Sequence, residues 1–302
     1  MRYVLPFFLS VSLTLMVACA PPISKSSLVL ITPTISPNSV KVTAIPITKT
    51  SHPALIADTP TSLPKSVSMP TLPVAQAKAK IIELIKTNNG CNLPCWWGIT
   101  PGHTSINDAR SFLEPLSSQS NVDLSSGSFY FPFDDTRLMD LNVTFDINNN
   151  LISEISVWDF DTTSYHLAKF LSVNGKPEQI WLSTNSEVSY GTGNIVPFLL
   201  YLYYENSRMI VAYGIGQGQV EGDFINGCIT DSPSLHMWAS EKVLSFLEAG
   251  HLVRLISSGN TYRNIDDATQ GKLNADTFYQ KFKNPNFDAC FSTPKSLWPV
   301  GP

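Results

Sequence analysis

Two cysteines, two tryptophans, two prolines and two glycines fall within fourteen residues, CNLPCWWGITPGHT, from Cys91 to Thr104. Residue types at this density suit a redox centre, a metal site, an aromatic platform for sugars, or a covalent hinge at the start of a fold. The spacing argues against the first two. Cys91 and Cys95 are Cys-x₃-Cys, not the Cys-x-x-Cys of dithiol oxidoreductases, and no βαβ pattern surrounds them. No histidine lies at ligand spacing to either thiol, and His103 has an ordinary reading as a solvated turn residue. Trp96 and Trp97 are candidate ligand contacts, because a flat indole face suits a sugar ring. The stronger expectation is that tryptophans beside a disulfide at a domain start plug the edge of the core.

The other chemically suggestive segments fail on their details. DINNNL (146–151) opens like a calcium loop but lacks glycine at the sixth position, and Val157 stands where a bidentate glutamate belongs. A hairpin turn is the better reading. GIGQG (214–218) opens no helix and so makes a poor phosphate cradle. Asp134-Asp135 and Asp159 with Asp161 would serve a hydrolase only if two carboxylates faced each other at about 5–9 Å. None of His52, His103, His166, His236 and His251 sits in a catalytic or metal-binding sequence context. These residues define no catalytic set, no metal site and no cofactor; a carboxylate-pair hydrolase is the weakest of the readings retained.

The ends of the chain say where it works. The first nineteen residues, MRYVLPFFLSVSLTLMVAC, carry Arg2 and then an uncharged apolar run too short for a comfortable membrane span, as a secretory signal does. Met16-Val17-Ala18-Cys19 resembles the lipobox of bacterial lipoproteins, which implies acylation of Cys19 and a mature chain that begins there. Two or three acyl chains anchor stably where one does not, at about 0.8 kcal/mol per buried CH₂. Residues 20–73 are rich in Pro, Ser and Thr and have no apolar period, so they read as a disordered tether. As a coil, ~54 residues span roughly 40 Å. The predicted location is extracytoplasmic and membrane-anchored, at a cell surface or in a periplasm. A net charge of −4, charged residues at 15 % and the lack of a basic cluster exclude nucleic acid as a partner.

With Cys19 acylated, Cys91, Cys95, Cys228 and Cys290 remain, an even number that predicts two disulfides in an exported chain. Three pairings are open. Cys91 with Cys95 and Cys228 with Cys290 is preferred, since the first pair shares a tight Pro-containing loop and the second fastens the C-terminal segment. The chain-entropy model gives about 2 kcal/mol for the short ring and about 4 kcal/mol for the ~63-residue ring.

The elements that position these residues follow from periodicity. VAQAKAKIIELIKTNN (74–89) carries an apolar stripe of Ile81, Leu84 and Ile85 and closes at Asn88-Asn89-Gly90, so residues 74–97 form a helix and disulfide clasp. Two stretches then align without gaps at an offset of 58 residues, 104–113 on 162–171 and 141–152 on 199–210. Each reads as a helix, capped by Thr104 or Thr162, followed by strands with turns at 148–150 and 205–208. The second hairpin, FLLYLYY and MIVAYG, is apolar enough to be buried on both faces.

The expected fold is therefore α+β: two tandem α-β-β-β units over 98–216, forming antiparallel sheet packed by helices, with a C-terminal extension, 217–302, wrapped on them. In that extension SEKVLSFLEAG predicts a helix buried through Val243, Phe246 and Leu247, NADTFYQKF one buried through Phe278 and Phe282, and HLVRLISSGNTY (251–262) an edge strand.

Pro101-Gly102-His103-Thr104 with Ala109 and Leu113, and Thr162, Leu167, Leu171 with Gly175-Lys176-Pro177, resemble the repeat pattern of small outer-membrane-assembly lipoproteins of the SmpA/OmlA type. The tandem order is similar to the β-lactamase-inhibitor-protein fold. Copy one has Glu114-Pro115 where the pattern has Gly-x-Pro. CNLPCWWGITPG itself resembles a signature of uncharacterised bacterial lipoproteins and implies no known activity. The resemblances imply a non-enzymatic module that binds a protein or an envelope polymer through an exposed sheet face, with carbohydrate binding through Trp96 and Trp97 as the alternative.

Overall fold

Strands β4 (Leu151–Trp158) and β7 (Met209–Glu221) do not touch, because β9 (Pro233–Trp238), from the C-terminal part of the chain, lies between them and pairs antiparallel with both. The computed structural model describes residues 71–123, 125–132, 138–146, 149–158, 165–186, 195–229, 233–257, 259–285 and 289–299. Cys19, the tether up to residue 70, Asp134, Asp135, Asp159, Asp161 and Thr162 lie outside the described residues.

The described strands form one 11-stranded antiparallel sheet. Its order runs β1 (Gln119–Val122), β2 (Ser126–Pro132), β3 (Leu138–Asp146), β4, β9, β7, β6 (Ile195–Tyr204), β5 (Gln179–Thr184) and β10 (Arg263–Asn264). A branch leaves β7 beyond the end of β9: β8 (Phe224–Cys228) pairs with β7, and β11 (Cys290–Pro294) pairs with β8.

Period-two alternation gives this sheet two unlike faces. The inner face carries the main core. It collects Phe129 and Phe131 of β2, Ile155 and Val157 of β4, Leu235 and Met237 of β9, Met209 and Val211 of β7, and Leu200 and Leu202 of β6. Helices α1 (Val74–Thr87), α2 (Ile106–Leu113), α3 (Leu167–Asn174), α5 (Ile265–Ala268) and α6 (Ala275–Phe282) cover it. The second face has a smaller core, where α4 (Phe246–Leu252) lays Phe246 and Ala249 on Tyr201, Tyr203, Ile210 and Trp238. Strands β6 and β7 thus carry buried side chains on both faces, as their uniformly apolar sequences predict.

Local signals explain the helix boundaries. Ser105, one residue past the expected Thr104, caps α2 by accepting from the Asp108 amide, while the Thr104 hydroxyl accepts from Thr100. Helix α3 begins after His166 without a side-chain cap. Ser245 and Glu248 close a capping box on α4, as Asn274 and Thr277 do on α6. The hairpin turns place Asn150 and Arg208 in the left-handed region, at φ 55° and 49°.

The segment expected to wrap the outside behaves differently from expectation in three places. It supplies β9 to the middle of the sheet. Phe246, not Val243 or Leu247, is the buried anchor of α4; Val243 is 74 % and Leu247 44 % exposed. The edge strand is Arg263–Asn264, and residues 251–257, 259 and 260 are the end of α4 and irregular chain.

Each expected unit has a helix and a three-strand meander, α2 with β2-β3-β4 and α3 with β5-β6-β7, although β1 stands between α2 and β2 in the first. The two meanders cross the sheet in opposite senses. Both approach β9, and β4 and β7 are parallel to each other because each is antiparallel to it. Since both helices sit on the inner face, one meander lies to the left of its last strand and the other to the right. No rotation superposes them. The shared order of elements therefore lends no support to a duplicated module.

Candidate functional site

The clasp residues are built around Asn88. It ends α1 at φ 46°, its Nδ2 donates to the carbonyls of Cys91 (2.8 Å) and Cys95 (2.7 Å), and its Oδ1 accepts from the Trp97 amide (2.9 Å). Cys91 and Cys95 are disulfide-bonded. This turn throws both tryptophans inward, where they are 0 % and 1 % exposed and stack with centroids 5.3 Å apart. Trp96 packs on Tyr165 and Trp97 meets Phe131 edge-on. A sugar platform needs an open indole face, and neither tryptophan has one; both belong to the main core.

A second cluster leaves no signal in the sequence because its members are far apart along it. On the second face Glu154 and Ser156 of β4 lie beside His236 and Ser234 of β9. Ser156 Oγ is 2.9 Å from His236 Nδ1 and 3.2 Å from Glu154 Oε1, and His236 Nε2 is 3.0 Å from Ser234 Oγ. Trp158 closes edge-on over the imidazole at 4.6 Å. Burial pulls the imidazole down to about 3 and keeps it neutral, and burial likewise raises the Glu154 carboxyl, against hydrogen bonds from Ser156 and Thr144 and the charge of Arg254.

Proton counting orients the chain. With Glu154 ionised, the Ser156 hydroxyl donates to the carboxylate, so Nδ1 carries the imidazole proton and donates to Ser156, and Nε2 accepts from Ser234. That polarity leaves no basic nitrogen facing the serine oxygen. Ser156 is 5 % and His236 0 % exposed, so a substrate carbonyl has no approach to them. What this geometry does is satisfy polar groups inside the sheet.

The third place is open. The second disulfide joins Cys228 of β8 to Cys290 of β11, directly opposite each other in the ladder. Beside it a recess of about 430 Å³ is lined by Gln219, Asn226, Gly227, Cys228, Cys290, Phe291 and Ser292. Register places Gln219, Asn226 and Ser292 in one row across β7, β8 and β11. These side chains face away from Ile225 and Phe291, which belong to the main core. The Ser292 hydroxyl donates to Asn226 Oδ1, and Asn226 Nδ2 donates to Glu221 at 2.8 Å. Gln219 is exposed. No ionisable side chain lines the recess. The glycines underneath are dictated by packing, since a Cβ on Gly227 would run into the Phe198 ring and one on Gly218 would press on Phe198, Val196 and Ile225.

Gly214–Gly218, already a poor phosphate cradle on sequence grounds, is part of β7. His103 and His251 stand apart from these clusters, and among the described residues no three His, Cys, Asp or Glu gather as a metal site. No helix among the described residues is long and apolar enough to cross a membrane. Comparison of the chain with protein-family models, with curated proteins and with solved structures returns no match.

Proposed function

We propose that the protein is an extracytoplasmic lipoprotein whose α+β body is a binding module, anchored through Cys19, held off the membrane by residues 20–73, and engaging a protein or envelope component with the part of its second face that α4 leaves uncovered. The observation that carries the binding reading is the open recess beside Cys228–Cys290, whose volume of about 430 Å³ falls within the usual 300–1,000 Å³ of ligand sites. Its lining is preorganised: two strands are bonded covalently there, and Asn226 is held from both sides. The lipobox-like Met16-Val17-Ala18-Cys19 supports the anchor, and two disulfides suit an oxidising compartment.

The test compares the full chain with a Cys19→Ser variant. The full chain should fractionate with membranes and yield an N-terminal peptide whose mass includes acyl groups on Cys19, and the variant should lose both. Immobilised full chain should then retain an envelope component saturably. Soluble behaviour of the unsubstituted chain contradicts the anchor; absence of any saturable ligand contradicts the binding module.

A further inference from the structure

Three adjacent rows of side chains cross β7, β8 and β11 on the second face. The middle row is Gln219, Asn226 and Ser292; the disulfide Cys228–Cys290 stands on one side of it, and Glu221, Phe224 and Pro294 on the other. Rows on one face of a sheet are spaced roughly 7 Å apart, about the width of a pyranose ring. Phe224 is 42 % exposed, an unusual position for a large aromatic side chain on a strand, and Lys272 Nζ stands 5.6 Å from its ring centroid.

The hydrogen-bonding capacity of the middle row is mixed and uncharged. The Gln219 carboxamide offers donors and acceptors, Asn226 keeps one N–H after donating to Glu221, and Ser292 keeps its oxygen lone pairs after donating to Asn226. A hydroxyl group, which donates and accepts at once, matches such a row, and the recess itself carries no charged side chain to draw an anion. The half-exposed Phe224 ring one row away, with Lys272 over one of its faces, offers the other as an apolar surface for the C–H face of a sugar. We propose that this recess binds one neutral sugar unit of a glycan, its hydroxyls on Gln219, Asn226 and Ser292 and its apolar face toward Phe224. The inference rests on the binding reading above and names the ligand class of the same site. It also moves the carbohydrate hypothesis away from Trp96 and Trp97, which are buried.

Saturation-transfer NMR on the full chain in detergent tests it, with methyl glucoside, the disaccharide of N-acetylglucosamine, and glucuronate as probes. Transfer to at least one neutral probe is expected, with little to glucuronate. Gln219→Ala and Phe224→Ala, both at exposed positions, should each weaken that binding about five- to tenfold. Reduction of Cys228–Cys290 should weaken it as well, since the bridge holds Ser292 opposite Asn226. The proposal is overturned by transfer to no neutral probe, by preference for glucuronate, or by neutral binding that survives in a Gln219→Ala/Phe224→Ala double variant whose unfolding midpoint is unchanged. If those substitutions abolish retention of a purified protein ligand while no sugar binds, the sugar assignment falls and the binding module stands.

Discussion

Ser156 and His236, 80 residues apart in the chain, meet at 2.9 Å inside the sheet, at opposed positions of β4 and β9. The contact joins the sheet's two halves through a polar pair, and its proton inventory has consequences for stability.

His236 makes the fold acid-sensitive. Its folded value of about 3 lies below the ordinary imidazole value of 6.5, so its contribution to stability is fully present above pH 6.5 and is lost as pH falls from 6.5 toward 3. The loss should approach ~4 kcal/mol over that window. Glu154 runs the other way: its raised value means that its stabilising contribution exists at low pH and is lost as pH rises through the folded value. Urea unfolding from pH 7.5 to pH 4 should show a falling midpoint in the natural chain and a flatter profile in His236→Gln. Glu154→Gln should raise the midpoint at pH 7.5. An unchanged slope in His236→Gln contradicts the assignment.

Asn88 should matter more to the clasp than either cysteine beside it. Asn88→Gly keeps the left-handed backbone and removes two donors and one acceptor, leaving the Trp97 amide unpaired, at a cost of about 2–4 kcal/mol. Tryptophan emission should shift to the red as the indoles gain water. An emission spectrum identical to that of the natural chain refutes this role.

The two disulfides should differ in worth. Replacing Cys228 and Cys290 by alanine removes a bridge over 62 residues and should lower stability by about 4 kcal/mol, against about 2 kcal/mol for the Cys91–Cys95 ring. Chemical denaturation of the two double variants measures the order directly.

Glycine substitutions separate space from conformation. Gly227→Ala drives a methyl group into the Phe198 ring and should cost about 1–3 kcal/mol by overpacking. Gly90→Ala meets no atom within 4 Å but forces φ +78° on a residue with a side chain, at about 1 kcal/mol. Thermal unfolding of the two variants should rank Gly227→Ala as the more harmful.

Much of this architecture is legible along the chain because it is local. The stripe of Ile81, Leu84 and Ile85, the Asn-Asn-Gly stop and the capping residues of α4 and α6 need only a few neighbours. The α+β class follows from helical and alternating periods succeeding one another. The preferred cysteine pairing rests on the tight Pro-containing loop that Cys91 and Cys95 share. What escapes is whatever depends on which strands become neighbours. PSLHMW reads as a strand wherever it docks, and alternation does not say that it divides β4 from β7. His236 looks like an unremarkable residue until Ser156 is brought opposite it. The repeat offset lines up β3 with β6 and β4 with β7, but similarity of pattern carries no information on handedness. The recess is least visible of all, since Gln219, Asn226 and Ser292 form a row only through the register of three strands.

The central placement of β9 also orders events during biogenesis. Until residues 233–238 have been synthesised, the ladders on either side have unsatisfied inward edges and nothing to zip them together. A nascent chain stalled short of Pro233 would expose two sticky half-sheets to its surroundings, so maturation of this protein should depend on delivery of its C-terminal portion, with holdase chaperones shielding the halves in the interval.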